Sequence, residues 1–208
     1  MGQLVAETIR LYGQRFLWAL PLGLFVAGVN QLTVGADRVT TGLVLVAAAP
    51  LFTLAFAYAA QLALGRRAPL RSWLAALGAG TLVFVPAAVL FPWFALAAVL
   101  WLALFGLAVP AAIAEDVSFG RAFGRGLELG RAGYLHAAGS LATLVIVFVL
   151  ARVALALLLE SQADETVRTA IFLADAVLAP LLFLGGSLLY VDQEARLRSR
   201  GERRDREE

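Results

Sequence analysis

The chain contains no cysteine, no lysine and a single histidine, His136. Without thiols there can be no disulfide, thiolate metal site or cysteine nucleophile. One imidazole excludes a multi-histidine metal centre. The lack of lysine removes Schiff-base chemistry and leaves all 17 basic residues as arginine. Charge is scarce as well: 15% of the 208 residues are charged and 61% are hydrophobic. Soluble domains run at roughly 25% charged and 45–50% apolar, and a soluble fold of this length has no interior large enough to hide the difference. The apolar residues also gather into long runs, the pattern of a membrane protein. Long polar stretches are missing, so one membrane domain is expected.

A bilayer core takes about 20 apolar residues per helix. The runs therefore predict an all-α, polytopic membrane helix bundle with six transmembrane helices, at 16–34, 41–64, 73–91, 93–114, 134–159 and 170–190. Asn30 and Gln31 make the first the least apolar. Trp73 to Ala114 is uncharged throughout and would make a helix of about 63 Å, twice the core thickness. It must fold back, and Phe91-Pro92 is the natural reversal because proline disfavours helix at the residue before it. Residues 1–191 thus form the six-span domain and 192–208 a charged tail.

Arginine placement sets the expected orientation. Fourteen of the 17 arginines fall on segments of one side, Arg38 and Arg168 on the other, and Arg152 within a span. The positive-inside rule then puts both termini in the cytoplasm. No removable signal peptide is read, because the first apolar run is too long and lacks a cleavage site.

One or two interfacial amphipathic helices are expected. In 117–131, Arg121, Arg125 and Glu128 share one face, opposite an apolar row of Phe119, Phe123 and Leu127. Leu4 to Tyr12 is a less regular second candidate. The tail mixes six arginines with six acids and is expected to extend the last helix briefly before fraying.

Charged residues inside a membrane mark functional sites or structural ion pairs. Arg152 and Asp175 lie at similar depth in the hairpin of spans five and six, so they are expected to pair. Such a pair either fixes helix rotation or forms a polar site for a lipid headgroup, ion or proton. Pro21, Pro50, Pro86, Pro110 and Pro180 lie in five of the spans. Broken helices line binding sites in transporters, yet proline is also tolerated where neighbours re-satisfy the backbone. Gly78, Gly80, Gly185, Gly186 and Ser187 suit close helix packing. Gly120, Gly124, Gly126 and Gly130 repeat small-xxx-small spacing without a phosphate-loop context. Glu115 and Asp116 are adjacent carboxylates that would not face each other on a helix, and no convergent partner is readable for catalysis. His136 reads as a satisfied interfacial residue.

From Pro110 onward the sequence resembles a broad prokaryotic family: the membrane domain found in some glycerophosphoryl diester phosphodiesterases, and related stand-alone six-span proteins. The resemblance rests on Pro110 followed by Glu115, and on the stretch Ala122 to Arg131 with Arg125, Leu129 and Arg131. It rests also on Leu188-Leu189-Tyr190-Val191-Asp192 followed by Arg196 and Arg198. Gly126 stands where the family usually has serine. The resemblance implies a six-span domain in a prokaryotic cell (inner) membrane. The phosphodiesterase catalytic region has no counterpart here.

The resulting expectation is a non-enzymatic membrane protein: a scaffold, accessory subunit or envelope-maintenance factor. The alternative is a small transporter or lipid-handling protein with a polar site at Arg152/Asp175. Its company is the lipid bilayer, with a homo-oligomer or membrane protein partner. Nucleic acid, metal and cofactor are not expected.

Overall fold

The computed structural model describes the backbone of residues 2–207 and the side chains of residue 4 and residues 6–199. The side chains of Arg200, Arg203, Arg204 and Arg206, part of the orientation argument, lie outside the described residues. The described residues are helical with no strand. In chain order the helices are α1 (Gly2–Gln14), α2 (Phe16–Thr33), α3 (Arg38–Leu64), α4 (Leu70–Leu90), α5 (Ala95–Phe105), α6 (Ala108–Glu115), α7 (Phe119–Ala132), α8 (Tyr134–Leu158) and α9 (Asp164–Glu207). Six spans are long and apolar enough to cross a membrane: α2, α3, α4, α5 with α6, α8, and Asp164–Ser199 of α9.

Local chemistry places the boundaries. Asp37 caps α3 by accepting from Thr40 N at 3.0 Å, so the helix starts at Arg38 rather than at 41. Gly65 ends it in the left-handed conformation, φ 65°, which glycine adopts without strain. Pro69 is the N-cap of α4, and the reversal at Phe91-Pro92 falls between α4 and α5. The break between α5 and α6 lies at Gly106-Leu107. Pro110, four residues on, has no N–H for the Gly106 carbonyl, and its ring crowds that group.

α9 packs against α1, α2, α3 and α8, while α3 packs against α4 and α6. Gly23 of α2 lets the carbonyl of Ala176 approach where a side chain would collide with it. One core joins the middle of the bundle through Phe52, Phe56, Phe84 and Phe183. A second joins Leu4, Leu107, Leu129, Leu189 and Tyr190, with Leu197 packed against it. α1 and the stretch of α9 around Leu197 therefore meet at one end of the bundle, here termed the termini side.

One expectation needs revision. α9 continues through the charged tail to Glu207 instead of fraying; Arg196–Asp192 and Arg198–Glu194 ion pairs at i,i+4 spacing support the extension. α7 buries Ala122, Gly126, Leu129 and Gly130 against the bundle, while the row Phe119, Phe123 and Leu127 stays on its more exposed side. Its glycines decide this: a Cβ on Gly126 would strike the Ala108 backbone, and one on Gly130 the Leu104 carbonyl. α7 thus seats on the α5–α6 break, where close backbone approach outweighs the larger side chains. α1 turns Leu4, Thr8 and Tyr12, spaced by four, inward, and Thr8 and Leu144 both stand over Gly185 of α9.

Candidate functional site

Two polar clusters occupy opposite ends of the bundle. The first lies on the side away from the termini. Arg152 is six residues inside the end of α8, or about 9 Å. Its Nε lies 3.1 Å from Asp175 Oδ1. The other carboxylate oxygen accepts from Asn30 Nδ2 at 2.8 Å, so α2, α8 and α9 all contribute. Asp175 is 1% exposed, whereas the Arg152 side chain is 32% exposed. Oδ1 faces the guanidinium yet has no hydrogen-bond donor in line. The guanidinium also lies 5.7 Å from the centre of the Phe148 ring, close enough for a cation–π attraction. Its terminal nitrogens have no other protein acceptor among the described residues. Gln31 extends the same end of the bundle by donating to the Arg168 carbonyl at 3.3 Å.

The setting of Arg152 is unusual. The buried residues of α8 are Ala137, Ala138, Ser140 and Leu144, all in its first half. Beyond Leu144 the helix presents Ile146, Val147, Val149, Leu150, Val153 and Leu157 outward. A charge at the centre of a membrane helix costs about 2.5–3.5 kcal/mol on insertion scales; Arg152, nearer the end of α8 and paired with Asp175, costs less than that.

The second cluster lies on the termini side. Glu115 Oε1 accepts from Tyr190 Oη and from Arg125 Nε, each at 2.9 Å. Arg125 also binds Glu128 at 2.8 Å. Hydrogen bonding to Glu115 first, and to Glu128 next, raises the Arg125 pKa above its ordinary value. Glu115 therefore does have convergent partners, contrary to the sequence expectation; they come from α7 and α9. Asp116 ends α6 in the left-handed region at φ 55°. That turn swings its carboxylate toward Arg71 and Ser72 of α4, both of which donate to it. These contacts, Arg71 foremost, hold the Asp116 carboxyl below its usual value. Arg66 donates to the Ala114 carbonyl. His136 lies 3.0 Å from Asp192, which also pairs with Arg196.

Of the residues marked by the resemblance, Glu115, Arg125 and Tyr190 meet directly. Leu129 and Tyr190 share one core, Pro110 is buried at the helix break, and Asp192 holds His136. Arg131 is exposed and joins none of these contacts. Sequence reasoning missed Ser72, and it missed Asn30 as a ligand of Asp175, although a polar residue in an apolar span was the available signal. It also missed Gln193, fully buried without a hydrogen-bond partner, which read as part of a solvated tail. No group of three or more metal-ligating side chains occurs among the described residues.

No protein family, curated protein or solved structure matches this chain. The helical bundle, with its six long apolar spans, fits a multi-pass membrane protein.

Proposed function

We propose that the chain is a non-enzymatic integral membrane protein of a prokaryotic cell membrane, acting as a scaffold or accessory subunit in the service of the envelope. In this reading both termini are cytoplasmic, α7 lies at the inner interface, and the outer half of α8 is the face that docks a partner helix or a second copy. One observation carries the reading. Arg152 stands on a half-helix whose outward face is apolar and exposed, anchored by Asp175, with its terminal nitrogens free to bind an acceptor.

Purification from native membranes, followed by identification of what remains bound, tests the proposal. A stoichiometric protein partner or a defined homo-oligomer is expected. Replacement of Arg152 by methionine should release it.

The second reading, a lipid-handling protein or small transporter, is favoured by the buried Asp175 Oδ1 that lacks a donor. It expects bound lipid or ion, in place of protein, to disappear with Arg152→Met.

A further inference from the structure

Two grooves run along the outward face of α4 and share Leu74 and Phe119. The mouth, on the termini side, is lined by Arg71, Asp116 and Ser118. The deeper part continues past Gly78 and Leu82 to Pro86. From Leu74 to Pro86 is twelve residues of α4, or about 18 Å, close to the half-thickness of a ~30 Å hydrocarbon core. The wall is Phe119, at the start of α7. It leans over Gly78 so closely that a Cβ there would come within 3.1 Å of its ring. The groove thus has an apolar floor as long as one acyl chain, and it opens at the level where headgroups lie.

Charge at the mouth selects the headgroup. Arg66, Arg67 and Arg71 precede or begin α4, and Arg121 stands on the first turn of α7. The one carboxylate there, Asp116, is already held by Arg71 and Ser72. Arg67 and Arg121 are exposed and have no acid partner among the described residues. The Ser118 side chain does not cap α7, so the free amides of that first turn add to the positive field. We infer that this groove binds one phospholipid with an anionic headgroup, from the leaflet on the termini side. One chain lies along α4 against Phe119, and the phosphate faces Arg67 and Arg121.

Native mass spectrometry of the full chain in detergent tests this, with phosphatidylglycerol and phosphatidylcholine of matched chains titrated separately. The wild type should retain one phosphatidylglycerol in preference to phosphatidylcholine. The preference should fall roughly fivefold for each arginine lost in Arg67→Gln and Arg121→Gln, since one basic residue near an anionic headgroup contributes about that factor. Gly78→Leu should displace Phe119 and lower retention of both lipids. The arginine variants alter only exposed side chains, so they decide the matter even if Gly78→Leu fails to fold. Equal retention of the two lipids by the wild type would overturn the inference, as would unchanged preference in the Arg67→Gln/Arg121→Gln double variant.

Discussion

Tyr190 donates its phenolic hydrogen to the same oxygen of Glu115 that accepts from Arg125, at 2.9 Å in each case. A single carboxylate oxygen therefore ties the end of α6 to α7 and to α9. Tyr190→Phe removes one of these bonds from a side chain that is 1% exposed. The expected cost is about 1.5 kcal/mol, the lower end for a bond to a charged group, because Glu115 is partly exposed. Combined with Glu115→Gln it should show non-additivity of about 0.5–3 kcal/mol. Thermal unfolding in detergent, followed by circular dichroism, measures both. Strict additivity would mean that the two residues act independently.

Asp175→Asn keeps an acceptor for Asn30 but removes the charge facing Arg152. Loss of one partner from a fully buried ion pair costs about 3–5 kcal/mol. Arg152 is one-third exposed, so about 1–3 kcal/mol is expected. Adding Arg152→Met should recover part of that loss, because no charge is then left unpaired. The same unfolding assay applies, and a single Asp175→Asn variant as stable as wild type would refute the pairing energetics.

The glycines of α7 divide into two classes. Gly126→Ala and Gly130→Ala drive a methyl into the backbone of α5 and α6 and should each cost about 1–3 kcal/mol. Gly120 and Gly124 face open space. Alanine there should be neutral or stabilising by up to about 1 kcal/mol, because it favours helix. Ranking the four variants by unfolding midpoint checks the register of α7; a reversed order would place its other face against the break.

Asp116 offers a test by pH. Arg71 and Ser72 hold its carboxyl below the ordinary value of 3.8. With the folded value the lower one, its stabilisation is complete above the unfolded pKa and disappears as pH falls through the folded value. Asparagine tolerates the left-handed backbone at this position. As pH falls below about 4, wild type should therefore lose stability more steeply than Asp116→Asn. Parallel acid profiles would remove Asp116 from the account.

Much of the helical layout was legible because the bilayer imposes it: apolar runs of fixed length report spans, and isolated charges such as Arg152 and Asp175 stand out within them. The break at Gly106-Leu107 was half legible, since Pro110 was visible but its neighbours were not. The Glu115–Arg125–Tyr190 cluster was not legible as a contact. It joins positions 75 residues apart and depends on α7 seating against that break. The face of α7 that packs against the bundle was not legible for a related reason. Counting large apolar residues favours Phe119, Phe123 and Leu127, whereas the packing is set by where glycine admits another backbone. Gln193 escaped because its charged neighbours made it look solvated.

The central claim is that the outer half of α8 meets a partner. A photo-crosslinking residue at Val153, beside Arg152, tests it in native membranes, with Leu51 on the exposed face of α3 as the control. The account predicts a discrete protein adduct from Val153, absent at Leu51 and lost with Arg152→Met. Lipid adducts alone, equal at the two positions and indifferent to Arg152, would contradict it.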